Sequence, residues 1–434
     1  MRRKYTGIGL ELREHMKRAG VLAVVLAAFA AIPRAQAPAP NEWPAYGRDA
    51  GGTRFSPLAR ITRDNVSNLV VAWRYHTGEP VLDLARQPSL QVTPIVVDNV
   101  MYISTPLGKV MALEPATGRE IWRYDARVNP RGGYGDFASR GVASWVDTTL
   151  KPGMPCRRRI YVATMDARLI SLDAASGYPC VVFGVDGTIG LREGLRIRPA
   201  FPAAYQVTSP PIVVGNLVVT GSAIADNSRP APASGEVRAF DARTGALRWT
   251  WDPIPQDPKD PASRTWGDSS AARTGAANVW SVMAADPGRD LIFLPTSSAA
   301  PDYYGALRPG ENRYANSIVA LRASTGRVVW HFQTVHHDLW DYDNAAPPAL
   351  VNVVRNGKPI PAVVQATKTG QLFVLHRETG EPVFPVEERK VPASTIPGEA
   401  ASPTQPFTTL TPALSPHRFT ADEAFGITPE GRAA

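Results

Sequence analysis

Short runs of alternating apolar and polar residues recur along the chain, each broken by a glycine-, proline- or asparagine-rich corner. NVMYISTPLGKVMALEPATGREIW, RRIYVATMDARLISLDAASG, GNLVVTGSA…SGEVRAFDARTGALRW, RDLIFLPTSSA…NSIVALRASTGRVVW and PAVVQATKTGQLFVLHRETGEPVF share one template. A strand leads through a variable connection to a second strand. A turn then closes on Thr/Ser-Gly, and a third strand often ends in tryptophan. The turn glycines are Gly118, Gly177, Gly245, Gly326 and Gly380, and the tryptophans are Trp122, Trp249 and Trp330. A period of two with almost no helical period specifies antiparallel sheet. Glycine takes the positive-φ corner of a tight turn that a β-branched residue could occupy only at a cost. A tryptophan at a fixed offset can dock between neighbouring sheets. One turn signature used five times argues for an all-β propeller over a sandwich.

The pattern also shapes the ends of the chain. LVVAWRYHTG, Leu69 to Gly78, reads as the last strand of a blade whose other strands are not visible after FTADEAFGITPEGRAA. The expectation is an incomplete set of about five to six blades. An open arc of this kind would expose apolar blade faces. The widest spacing between turns, Gly245 to Gly326, holds SRTWGDSSAARTGAANVWS, a long loop of the kind that carries function.

Composition changes the picture at the N-terminus. The chain has 434 residues, 44% hydrophobic and 20% charged, which is ordinary globular material. The formal charge is +8, but residues 1–36 contribute +5 of it (seven Lys/Arg against two acids), leaving +3. That balance gives no support to nucleic-acid binding. Lys17 and Arg18 precede the run VLAVVLAAFAAI, and AQA at Ala35 to Ala37 fits a cleavage site. Residues 1–37 therefore read as a secretory signal peptide, with Met16 a second candidate start. The run is too short to span a bilayer, so residues 38–434 are expected as an exported, periplasmic domain without a transmembrane anchor. Cys156 and Cys180 are the two cysteines, too few for a CxxCH haem site or a four-cysteine metal site. In an oxidising compartment they are expected to pair.

The chemistry concentrates in HHDLWDYDNAAPP and QATKTG. Asp341 lies between Trp340 and Tyr342, which suggests a rigid aromatic setting, and Lys368 ends the next apolar run. An acid and a base on neighbouring strand ends can take a substrate proton and stabilise a developing oxyanion. An ordinary surface pair is the plain alternative. His336, His337 and Asp338 have the look of a metal cluster, but adjacent histidines on a strand face opposite ways, so the expected role is structural.

FQTVHHDLWDYD, QATKTGQLFVLHRETGEP and the opening NEWPAYGRDAGGTRFSPLARIT together resemble the pyrroloquinoline quinone (PQQ) dependent dehydrogenases, the glucose and quinate type in particular. The resemblance runs over nearly the whole of residues 38–434. It implies a β-propeller of the eight-bladed type, with PQQ and Ca²⁺ (or Mg²⁺) on its axis. It implies that Asp341 is the catalytic base and that Lys368 stands beside the quinone carbonyls. Trp280 becomes the floor under the ring, Arg140 a carboxylate-binding residue, and Thr208 a hydrogen-bonding contact. Asp226 and Asn227 become the metal pair. Each has a plain reading beside it: Trp280 as a core tryptophan, Arg140 as a solvated loop residue, Asp226-Asn227 as a turn.

Three departures from the family pattern stand out. Gln91 occupies a place where relatives carry glutamate near PQQ. Ala300 lacks the metal-binding oxygen that relatives often have, leaving Ser298 as a substitute. The C-terminal blades are missing. The absence of an adjacent Cys-Cys pair separates the chain from the methanol and ethanol branch. The implied function is hydride transfer to PQQ from a hydroxyl of a sugar, polyol or cyclic hydroxy acid. Electrons would leave to a separate quinone or cytochrome c. The alternatives are an inactive truncated relative and a non-catalytic scaffold propeller, for which Asp341, Lys368 and Asp226-Asn227 would not be needed.

Overall fold

The structure, a computed structural model, describes residues 38–433 save 81, 84–86, 228–231, 412, 417–419 and 427. The expected signal peptide lies outside the described residues. Four four-stranded antiparallel sheets and one of three strands follow one another along the chain. Blade 1 is Ile95–Val97, Val100–Ser104, Lys109–Leu113 and Glu120–Asp125. Blade 2 is Ala143–Val146, Arg158–Ala163, Arg168–Asp173 and Thr188–Gly190. Blade 3 is Ile212–Val214, Leu217–Thr220, Val237–Asp241 and Leu247–Trp251. Blade 4 is Ala284–Asp286, Leu291–Pro295, Ser317–Arg322 and Val328–Gln333. Blade 5 is Ala349–Arg355, Lys358–Ala366 and Leu372–His376. A hairpin, Val386–Lys390 with Thr404–Thr408, follows it. The first strands of blades 2 to 5 are successive neighbours, which is propeller geometry.

The period of two decides how the blades stack. Side chains on one strand alternate between two inter-blade cores. Tyr161 packs toward blade 3, while Ile160 and Val162 pack toward blade 1. Val218 and Val219 divide between the cores on either side of blade 3, and Ile292 and Phe293 do the same for blade 4. A strand here is buried on both faces, which explains the near-continuous apolar runs.

The tryptophans dock as the spacing predicts. Trp122 lies against Gly177 of blade 2 and donates Nε1–H to Ala174 O at 2.9 Å. Trp249 meets Gly326 and Ala323 O, and Trp330 meets Gly380 and Arg377 O. A Cβ on Gly118 would lie 2.5 Å from the Trp73 ring, so this corner needs glycine for space as well as for its φ of +71°. Trp73 donates to Pro115 O, so LVVAWRYHTG holds the outer position against blade 1, although it forms no regular strand. Blade 2 lacks the tryptophan. There Phe183 enters the core toward blade 3, and Gly245 packs on Gly184 and Ile189. The expected disulfide Cys156–Cys180 forms in the same blade, with a Cα–Cα distance of 5.8 Å.

Two irregular segments brace the site. Near the N-terminus, Trp43 pairs with Val96 of blade 1, Ala50 O accepts from Ala285 N of blade 4, and Gly51 O accepts from Leu350 N of blade 5. This segment therefore straps distant blades together. The long loop between blades 3 and 4 folds into short helical turns, Pro261–Thr265 and Ser270–Arg273. It buries Trp266 with Ile254, Ala277, Ala299 and Ala315 in a core of its own. That secondary core supports Trp280 and Ser298 from behind.

Candidate active site

Trp280 follows the long loop directly. Its backbone carbonyl accepts from Ser209 Oγ, and the next residue, Ser281, donates to Ala345 O at 2.6 Å. The indole Nε1–H donates to Asp343 Oδ2 at 2.9 Å. The guanidinium of Arg140 stacks over the indole ring, 5.1 Å from its centroid. Arg140 Nη1 donates to Thr208 Oγ1 at 2.6 Å, and Arg140 N to Thr208 O at 3.0 Å. A cleft lined by Thr208, Ser209, Ser222, Trp280 and Ser281 opens here. Trp280 is half-buried and its indole meets Arg140 and Asp343, unlike the tryptophans that dock between blades.

Burial pulls the Arg140 pKa down, and the Asp136 charge offsets part of that. Arg140 is half-buried, and a carboxylate of a ligand would complement it further. A planar ligand bearing carboxylates fits this cradle. Gln91 lies on the neighbouring segment: Ser89–Leu90 pairs in parallel with Ala138–Ser139, and Gln91 N donates to Ser139 O. Its side chain is exposed and meets Ser89 Oγ at 3.2 Å.

Lys368 lies just beyond the second strand of blade 5. Its ammonium donates to Asp341 O at 2.7 Å and lies 3.3 Å from Asp341 Oδ2 and 3.5 Å from Asp343 Oδ2. Burial pulls Lys368 down, but the Asp343 and Asp341 carboxylates outweigh it and hold its pKa above the ordinary value. The lysine is therefore a cation throughout the neutral range. The structure brings Asp341 and Lys368 together, as the sequence pattern implied.

The rigidity of Asp341 has a different source from the aromatic flanks. Trp340 is 70% exposed and cannot clamp it. Asp338, which is buried, organises the loop instead. Its carboxylate accepts from Trp340 N at 3.0 Å, Tyr342 N at 2.7 Å, Asn316 Nδ2 at 2.9 Å and Ser298 Oγ. These bonds hold Asp341 at a φ of +57°, an uncommon conformation in which its carboxylate lies 3.3 Å from Lys368 Nζ. The histidines lie in this loop and not on a strand, which corrects the geometric premise. His337 Nδ1 contacts Gly310 O at 2.6 Å, and His336 contacts Gln333 and Glu388. They do not share a site.

Sequence reasoning passed over two acids. Asp343 accepts from Ser298 N at 2.7 Å as well as from Trp280. Burial and the Asp341 charge push its carboxyl above the usual range. Asp302 is 2% exposed and accepts from Asn227 Nδ2 at 2.8 Å. Burial, then Asp343 and Asp341, push it up to about 7. Asp226 is raised well above its usual range by burial and by the Asp302 and Asp343 charges. The WDYD repeat of acids was a readable signal for Asp343; nothing in APDYYG marked Asp302. Ser298 Oγ is already tied on two sides, donating to Asp338 and accepting from Asn316.

The charges of Asp226, Asp302, Asp341 and Asp343 therefore act on one another, and Lys368 pairs with Asp341 and Asp343. Among the described residues no three Asp, Glu, His or Cys side chains form a ready-made ion cage. The donor set that exists is carboxylate and amide oxygen, which suits a hard divalent cation. Tyr303, which is exposed, places Oη 3.4 Å from Asp341 Oδ2.

A sequence model of the glucose/ethanol/alcohol dehydrogenase β-propeller domain, a PQQ family, matches residues 43–434. The chain is 39% identical over 396 residues to the glycerol dehydrogenase large subunit of Gluconobacter oxydans, covering 90% of this chain and 52% of that protein. It is 38% identical over 384 residues to the quinoprotein glucose dehydrogenase of Escherichia coli, covering 86% and 47%. The solved quinohaemoprotein alcohol dehydrogenase of Comamonas testosteroni superposes with a TM-score of 0.68 at 30% identity, covering 87% of this chain and 53% of that one. The chain spans about half the length of the curated relatives it matches.

Proposed function

The chain belongs to the PQQ-dependent glucose/ethanol/alcohol dehydrogenase propeller family, and on that premise we propose that it oxidises a hydroxyl of a sugar, polyol or cyclic hydroxy acid in the periplasm. Residues 1–37 serve as the export signal, and electrons leave to a separate quinone or cytochrome. The observation that carries this reading is the meeting of Asp341 and Lys368 beside the Arg140–Trp280 stack.

When bound, PQQ with its divalent cation supplies the electrophilic two-electron acceptor that takes hydride from the substrate carbon. Arg140 and Thr208 hold an acidic edge of the planar group, and Trp280 supports its face. Asp343 fixes the Trp280 plane through Nε1–H. Asp226 and Asn227 provide hard oxygen ligands for the cation. Asp341 Oδ2, presented by the Asp338-capped loop, accepts the hydroxyl proton. Lys368 stays protonated beside Asp341 and can turn an N–H from its carboxylate partners toward an acceptor oxygen of the bound group. Tyr303 borders the approach to Asp341.

The test is dye-linked oxidation of glucose, glycerol and quinate with added PQQ and Ca²⁺. Substrate-dependent dye reduction that needs both additions, and that Asp341→Asn abolishes without releasing PQQ, is expected. Activity that depends on NAD, or full turnover by Asp341→Asn, would sink the proposal.

A further inference from the structure

We infer that Asp302 is a ligand of the divalent cation, completing a set with Asp226 and Asn227. The inference rests on the dehydrogenase reading for the presence of a cation; the assignment of this residue comes from its surroundings.

Asp302 is 2% exposed, yet its Oδ1 has no hydrogen-bond partner among the described residues. An orphaned carboxylate oxygen at that depth carries a desolvation cost that nothing offsets. Its other oxygen, Oδ2, is fixed by Asn227 Nδ2 at 2.8 Å. That bond orients both partners. Asn227 spends its amide nitrogen on Asp302, so its amide oxygen remains as an acceptor for an ion.

Among the described residues no cation forms an ion pair with Asp302, although the Arg308 charge acts on it from nearby. Lys368 is divided between Asp341 and Asp343. Arg308, the buried guanidinium nearby, donates to Asn312 Oδ1, Pro301 O and Asp338 O. No ion pair to Asp302 or Asp226 occurs among the described residues. Four carboxylates against one lysine leave a negative surplus that a divalent cation would balance.

The substitute ligand expected from the sequence, Ser298, is already engaged by its neighbours. Ala300 has no oxygen to give. Ser298 Oγ donates to Asp338 and accepts from Asn316 at 3.0 Å. Asp302, two residues beyond Ala300, supplies a charged oxygen in place of a neutral one. Two carboxylates and an amide oxygen form a hard donor set for Ca²⁺.

The experiment is calorimetric titration of the full chain with Ca²⁺ alone, without PQQ, for wild type, Asp302→Asn and Asp226→Asn. Asp302→Asn should bind Ca²⁺ at least about tenfold more weakly, in the range of losses typical around metal sites. Its Ca²⁺-induced rise in Tm should shrink in step. Equal affinity of Asp302→Asn and wild type, with Asp226→Asn impaired, would overturn the Asp302 assignment and leave the family reading standing. Absence of Ca²⁺ uptake by wild type would overturn the cation site as a whole. Should Asp302→Asn not fold by circular dichroism, Asp302→Glu is read instead. It keeps the charge but shifts it by one methylene, so an altered Ca²⁺ affinity is expected and an unaltered one refutes the assignment.

Discussion

Asp343→Asn separates the support of the cofactor floor from the chemistry. Asp343 receives Ser298 N–H on Oδ1 and Trp280 Nε1–H on Oδ2, with Lys368 at 3.5 Å from the latter. An asparagine can keep only one of these oxygens. If it retains the Ser298 bond, its NH₂ group faces the indole N–H and the ammonium, donor against donor. A buried donor left unmatched costs about 1–3 kcal/mol. Against this, a neutral amide relieves the desolvation that raises the Asp343 carboxyl. The two effects oppose each other in global stability, so Tm should move little. They do not oppose each other at Trp280, which simply loses its anchor. PQQ affinity should therefore fall by about 10- to 100-fold, the equivalent of about 1.4–2.8 kcal/mol. The assay is quenching of tryptophan fluorescence by PQQ in Ca²⁺ buffer, with circular dichroism to confirm folding. A folded Asp343→Asn protein that binds PQQ within about twofold of wild type would refute the anchoring argument.

Asp338→Ala removes the acceptor for four donors, two of them backbone amides of the 338–343 loop, and should cost about 3 kcal/mol or more, read by chemical denaturation, with new protease cleavage in that loop. Trp330→Ala should destabilise by about 3–5 kcal/mol, because it empties the blade 4–blade 5 core and strands Arg377 O. Asp302 is raised from 3.8 to about 7, so its charge opposes folding above pH 7 and the penalty disappears as pH falls toward 4. Asp302→Asn should accordingly raise the metal-free Tm at pH 8 and lose that advantage only by about pH 4; a constant difference across this window would contradict it. Reduction of Cys156–Cys180 opens a loop with a sequence separation of 24 and should cost roughly 3 kcal/mol, measured by denaturation with and without reductant.

The fold was legible because it is periodic. Alternation fixed the strands, the Thr/Ser-Gly corners fixed the turns, and Trp122, Trp249 and Trp330 fixed the stacking. Blade 2 resisted the template because Phe183 and a disulfide replace its tryptophan. The site was legible where long motifs carried it, as at Asp341 and Lys368. It was not legible where burial assigns the role. Asp302 and Asp343 are short acids in loops, and only the fold brings them within reach of Asn227 and Trp280. The part of Asp338 lay in between: an Asp two residues before the Trp340 amide is a readable turn-capping signal, but its bonds to Ser298 and Asn316 reach the connection between the second and third strands of blade 4.

A structure of the chain bound to PQQ and Ca²⁺, determined by crystallography, tests the central claim most directly. The ring should lie on Trp280, with a carboxylate against Arg140 and Thr208, the cation at Asp226 and Asn227, and Asp341 and Lys368 open to the reacting edge. A ring bound away from Trp280, or a cofactor edge turned from Arg140, would contradict the proposed site.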